Sequence, residues 1–323
     1  TGPNALADTF LQTSYIVESA IKTIAIVLCA GLRQTAPLIV RRHEYDLVRG
    51  DGLGTWGKVI KDCVGQSRFG YYDKTLQPLH EWLTKSRNRP ADSWSQEILK
   101  NCQELANEMQ SKAVDSPTRP NILHIIDYLI MIRNKTKGHG AYGESFFNDV
   151  NKTYQAIAKS LIENSPYFKE LQWFYIAKRG SADKIKAVCL QGTSIWHVSQ
   201  AEANNMAQAV DGIYVRYGSR GALHHCGDLI RTDYDCSHFY IPNGAFRNSG
   251  ECEYIDYGDG TTRSYQLDYL VQPPASPPAS MTEGGACLDF CHNVFGNLPP
   301  MPSGYVERRE LQEELIARLH DKN

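Results

Sequence analysis

The chain changes its apolar periodicity near residue 165, and that change limits the possible folds more than any other feature. Before it, apolar residues recur at helical spacing: Leu6, Phe10, Ile16, Ala20, Ile24 and Val27 in a first run, then a stretch from Trp94 to Lys112. Phe146, Val150, Tyr154, Ile157 and Leu161 continue the pattern as a narrow seam suited to packing against another helix. After "NSPYF" the runs become short, β-branched and aromatic: "LQWFYIA", "KIKAVCL", "GIYVRYG", "SHFYIP", "CEYIDYG" and "SYQLDYLV". Turn signals such as "RGSADK", "PNG" and "GDGTT" divide them, and "SQAEANNMAQAV" predicts a helix between the second and third runs. The expected fold is α+β with several domains: an all-α helical bundle over 1–165, then a smaller, mainly antiparallel α+β domain over 166–271. Residues 272–323 are expected to supply a Pro-rich linker, an irregular segment and a final charged helix.

Balanced charge narrows the functional classes. With 34 basic and 36 acidic side chains the formal charge is −2, so attraction to nucleic acid has to come from a local basic patch. Nine cysteines spread through a large chain, without a secretory leader, predict reduced thiols and a cytoplasmic setting. The apolar run "IAIVLCAGL" is too short for a bilayer and reads as the buried part of a helix, so no membrane partner is expected. The chain starts without Met and stops within a charged amphipathic stretch, "YVERRELQEELIARLHDKN", which fits a fragment of something longer.

The segment "YLIMIRNKTKGHGAYGESFF" carries the candidate chemistry. Ile122, Ile126 and Leu129 form an apolar stripe whose next position is Arg133, which places a guanidinium where the buried face runs out. His139 would lie about 120° away on a continuous helix, but Gly138 readily takes the left-handed conformation that ends one and can return the imidazole toward Arg133. Cleavage of RNA needs a base for the ribose 2′-hydroxyl, a cation for the phosphorane and an acid for the leaving oxygen. Histidine and arginine can fill these roles without metal or cofactor, and Asn134 could orient the imidazole or the substrate. Lys135 and Lys137 beside them form the one basic patch expected to meet an RNA backbone. The plainer alternative is a helix end whose last carbonyls are satisfied by Lys137 and His139.

Arg133 and Asn134, followed at the end of a long helix by His139, resemble the signature of the HEPN superfamily, with five residues between Arg and His rather than the commonest four. The resemblance implies a helical bundle closed by a helix from about Ser145, and a metal-independent endoribonuclease whose site is shared by two protomers. Arg133 would stabilise the scissile phosphate, Asn134 would orient, and His139 would act in proton transfer. Many relatives keep the bundle as a noncatalytic dimerisation or ligand-sensing unit. "GYVERRELQEELIARL" is similar to the helix that leads into the nucleotide-binding loop of STAND-type signalling ATPases. That similarity implies the effector part of a bacterial defence or stress switch, with ATPase and sensor domains absent from this chain.

Other constellations have plainer readings. His224, His225, Cys226, Cys236 and His238 include zinc-type ligands, and strand alternation would put Cys236 and His238 on one face, yet the spacing is not that of a zinc ribbon or finger. Cys287, Cys291 and His292 are a weaker set. "RGDGLGTWGK" reads as a turn between helices anchored by Trp56 rather than a phosphate loop. Arg41, Arg42, Glu44, Asp46 and Arg49 read as a solvated helix face, with His43 able to assist His139 if the helices pack together.

Overall fold

The computed structural model describes residues 3–50, 52–65, 72, 74–85, 93–109, 120–138, 144–178, 185–191, 194–199, 210–218, 221–245 and 250–267. The expected helix over 199–210, apart from its ends, lies outside these residues, as do the Pro-rich linker, Cys287, Cys291, His292 and the terminal helix. Within the described residues the chain is mixed helix and sheet, with antiparallel strands throughout.

Helices come first: α1 (Pro3–Leu32), α2 (Pro37–Arg49), α3 (Leu53–Val64), α4 (Gln77–Thr84), α5 (Ser93–Glu108), α6 (Ile122–Gly138), α7 (Glu144–Glu163) and the single turn α8 (Pro166–Lys169). In α1 the buried stripe is Phe10, Val17, Ile21, Ile24 and Leu28, whereas Ile16, placed on the apolar face by spacing, is 47% exposed. From Ile24 to Ala30 every side chain is buried, as in a central helix covered on all sides. By length and composition residues 5–32 could cross a bilayer, further than the nine-residue apolar run indicates, but most of that segment is buried against the rest of the molecule. α1 packs against α3 and α7, and α5 against α6 and α7. The seam of α7 holds, with Val150, Tyr154, Ile157 and Leu161 all buried and Phe10 stacked on Tyr154 at 4.9 Å between ring centroids. Such a pair adds about 0.5–1.5 kcal/mol beyond its area.

The stretch after Arg49 departs from its reading as a loop. α2 runs to Arg49 and Leu53 already starts α3, so Trp56 lies inside a helix and is wholly buried. Helix propensity disfavours a start so rich in glycine, but burial of Leu53, Trp56 and Ile60 on one face outweighs it.

Two sheets follow. The first takes β1 (Leu171–Lys178), β2 (Ile185–Gln191), β3 (Ser194–His197), β4 (Gly212–Tyr217) and β5 (His224–His225) in the order β3-β2-β1-β4-β5. Phe174 on β1 stands opposite Cys189 and Tyr214, so the central strand buries one row of side chains. The second holds β6 (Arg231–Thr232), β7 (Phe239–Ala245), β8 (Glu251–Asp256) and β9 (Thr262–Gln266) in sequential order. A register shift between Pro242 and Gly244 interrupts β7 against β8. The last strand begins two residues before "SYQLDYLV", because the turn after Asp256 closes early: Gly260, at φ 79°, donates to the Asp256 carbonyl.

His238 clamps that turn. Its Nδ1 lies 3.0 Å from Asp233 Oδ2 and its Nε2 3.2 Å from Asp259 Oδ2. Desolvation acts against the imidazolium, but the hydrogen bonds to Asp233 and Asp259 outweigh it and raise the pKa above its usual value. A raised folded pKa contributes stability that is complete below about pH 6.5 and is lost as pH rises through the folded value. The melting-temperature gap between the native protein and His238→Gln is therefore expected to narrow as pH rises from about 6 to about 9. A gap that is flat with pH would remove the imidazolium from the account.

Candidate functional site

Arg133 sits where the stripe predicts. Ile122, Ile126 and Leu129 are buried, and one turn on the Arg133 side chain is 16% exposed. Its Nε donates to Glu18 Oε1 at 2.9 Å, and its Nη1 to Asn134 Oδ1 at 3.4 Å. Glu18 is only 2% exposed on α1, and its other oxygen accepts from the Tyr257 hydroxyl at 3.3 Å, in the turn after β8. Burial first, and then the Glu18 charge, push the Tyr257 hydroxyl well above its usual pKa, so it stays a donor. Thr136 Oγ1 reaches the carbonyls of Ile132 and Arg133 at 3.0 and 3.1 Å, satisfying acceptors in the last turn of α6.

Of the expected site residues, Arg133 and Asn134 meet, with Asn134 exposed and Lys135 half-buried beside them. Gly138 is still helical and is the last described residue of α6; His139 and the side chain of Lys137 lie outside the described residues. His43, considered as an aid to His139, is buried on α2 with its Nε2 3.5 Å from Asp62 Oδ2 on α3. There it adjoins Cys63, whose pKa falls to about 6 because the Cys29 thiol, and next His43, hydrogen-bond to it. Both thiols are fully buried, and the seven described cysteines are all free of disulfides.

Sequence pattern does not single out the charges that anchor this corner. One turn beyond Glu18, Lys22 is also 2% exposed; its Nζ donates to the Pro242 carbonyl at 2.7 Å. The same ammonium stands 5.0 Å from the Trp56 ring centroid and 5.2 Å from that of Tyr257. Aromatic faces and a carbonyl thus replace part of its hydration. The available signal was a Glu and a Lys four residues apart inside the apolar run "VESAIKTIAIV". Charges flanked so closely by buried positions need partners from elsewhere in the fold.

The zinc-type residues disperse. His224 is buried at the edge of the first sheet, Cys226 beneath Arg33 and Glu44, and Cys236 near Val188, while His238 holds its two aspartates. Cys236 has φ 62° and belongs to a turn, so strand alternation does not govern it and His238. Among the described residues no three His, Cys, Asp or Glu side chains gather in a metal-holding group.

Glu44 turns inward, against its reading as part of a solvated face. It takes the Arg33 Nη2 at 2.5 Å, and Arg33 Nε donates to the His225 carbonyl at 2.8 Å. Gly227, at φ 63°, brings a 3-10 turn against this pair: a β-carbon there would come 2.1 Å from Arg33 Nη2 and 2.3 Å from Glu44 Oε1. Gly227→Ala is expected to cost about 1–3 kcal/mol through left-handed strain and displacement of the pair, read from the urea midpoint. A loss under about 0.5 kcal/mol would mean that the pair yields without cost.

Comparison of the chain with known protein families, with curated proteins and with solved structures finds no match in any of the three.

Proposed function

We propose that the chain is a metal-independent endoribonuclease in which Arg133, Asn134 and His139 act on the scissile phosphate. The observation that carries this reading is the way Arg133 is held. Glu18 takes Nε and Asn134 takes Nη1, while among the described residues Nη2 makes no hydrogen bond. A guanidinium held at Nε and Nη1 presents Nη2 without having to be ordered on binding, which suits charge stabilisation in a transition state. Lys135 adds positive charge at the same helix end, and Lys137 and His139 follow directly in the chain.

The reaction follows from these groups. A base removes the ribose 2′ proton, the oxygen attacks the adjacent phosphorus, and Arg133 holds the developing charge. The 5′-oxygen leaves with a proton from the acid, giving a 2′,3′-cyclic phosphate. His139 would supply one of the two proton transfers, and a second protomer the other. A cytoplasmic bacterial STAND-type system, with the chain as effector in a homo-oligomer, is the setting implied by the HEPN and ATPase-lead resemblances.

The test is cleavage of labelled transfer RNA and single-stranded RNA in excess chelator. Arg133→Ala and His139→Ala are each expected to lower the rate by at least about 100-fold while far-UV dichroism is retained. Equal rates for native and variant proteins, or loss of cleavage in chelator, would refute the proposal.

A second reading takes the same ion pair as structural. Glu18 at 2% exposure and Arg133 at 16% form a largely buried pair that joins α6 to α1. Such a pair suits a noncatalytic HEPN-like dimerisation or ligand-sensing module. On this reading Arg133→Ala lowers stability, and native protein cuts no RNA.

A further inference from the structure

An arginine beside a carboxylate frequently pairs with it at two points. Nε and Nη2 lie on one edge of the guanidinium, and the two oxygens of a carboxylate can meet that edge in parallel hydrogen bonds. Arg133 does not pair in that way. Glu18 Oε1 takes Nε at 2.9 Å, while Oε2 accepts from the Tyr257 hydroxyl at 3.3 Å, and among the described residues Nη2 makes no hydrogen bond. The oxygen that would close the fork is engaged by the turn after β8.

Tyr257 reaches Glu18 from a turn that is fixed by other bonds. Asp256, only 9% exposed, accepts through Oδ1 from the Gly258 backbone N–H at 2.6 Å and through Oδ2 from that of Phe239 at 2.8 Å. The Asp256 N–H donates to the Thr261 carbonyl and the Gly260 N–H to the Asp256 carbonyl, both at 2.9 Å, which closes the turn around Tyr257. The ring is held as well. The Lys22 ammonium stands 5.2 Å from its centroid, and the Tyr15 ring meets it edge-on at 5.8 Å. None of these contacts uses the hydroxyl, so its bond to Glu18 is separable from the packing of the ring.

We propose that Tyr257 is a positioning residue for Arg133: by taking Oε2 it restricts Glu18 to one bond with the guanidinium and leaves Nη2 for a phosphate oxygen. The inference rests on the nuclease reading for what Nη2 does, and on these hydrogen bonds for how it is left open. Without the hydroxyl, Oε2 turns to Nη2 and the two-point pair forms. That pair is stronger than the native one, and it withdraws from the substrate the nitrogen that the native geometry offers. A tyrosine with a purely structural role would do the opposite, steadying Glu18 so that it pairs more strongly when the hydroxyl is present.

Two measurements on the 323-residue chain test the proposal, the first without substrate. Urea unfolding of double-mutant cycles, built from Glu18→Ala and Arg133→Ala, gives the coupling of this pair in the native and Tyr257→Phe backgrounds. The coupling is expected to be larger in the Tyr257→Phe background. An equal or smaller coupling would overturn the proposal, whatever the protein does to RNA. In cleavage of single-stranded RNA, Tyr257→Phe is expected to lower kcat about tenfold or more with KM within about twofold, because Nη2 acts on charge that develops in the transition state. Adding Glu18→Gln to Tyr257→Phe is expected to recover several-fold of that loss, since an amide has one oxygen and its NH₂ cannot accept from Nη2. Native kcat in Tyr257→Phe, or no recovery in the double variant, would overturn the proposal while a loss in Arg133→Ala kept the nuclease reading. If native protein cuts no RNA, the nuclease reading fails and the coupling decides whether Tyr257 holds the pair open.

Discussion

Glu18→Ala is expected to destabilise the folded protein by about 3–5 kcal/mol, the range for removing one partner of a buried ion pair. The cost is not the lost attraction alone. With 16% of its side chain exposed, the Arg133 guanidinium cannot recover full hydration where it stands. Tyr257 loses its acceptor in the same step. Glu18→Gln retains an oxygen for both donors and is expected to lose less. Removing Arg133 as well should recover part of the loss, with a coupling of at least about 1 kcal/mol in a double-mutant cycle. Urea unfolding near neutral pH of the native protein, Glu18→Ala, Glu18→Gln, Arg133→Ala and the double variant checks these values; a loss below about 1 kcal/mol in Glu18→Ala would show the pair to be marginal. The cycle also separates a structural role from a chemical one, because it is read without substrate.

Trp56→Ala is expected to cost about 3–5 kcal/mol, through the cavity left by a wholly buried indole and the loss of a face for Lys22. Trp56→Phe is expected to lose markedly less. Its smaller ring still faces the ammonium, and it removes an indole N–H that has no hydrogen-bond partner among the described residues. If Trp56→Phe were as damaging as Trp56→Ala, the volume of the side chain would matter and its π face would not. Because Lys22 also touches Tyr257, this variant and Glu18→Ala are close enough to couple, and their effects should not add.

Local pattern carried much of the helical layout. The stripe of α6 and the seam of α7 could be read because each helix buries one face, so its period survives in the sequence. The strands β1, β2, β4 and β8 were legible for the corresponding reason at period two. What escaped were features whose cause lies far along the chain. Leu53 and Trp56 start a helix amid glycines because they have a core to enter. Glu44 turns inward because Arg33 is there to receive it. The two-residue strands β5 and β6 are too short to carry a pattern, and Cys236 turns at a positive φ where alternation assumed a strand. Arg133 and Asn134 were visible as a motif, but Glu18, which decides how the guanidinium is held, lies 115 positions away.

The bond from Lys22 to the Pro242 carbonyl spans 220 positions, and this sets a timetable for synthesis. At about 5–20 residues per second, a ribosome that has made the first helix needs roughly 10–40 s more before the acceptor exists. Until then the Lys22 ammonium has the Trp56 ring of α3 within reach but neither the Tyr257 ring nor this carbonyl, so the central helix gains these contacts only once the second sheet has been made.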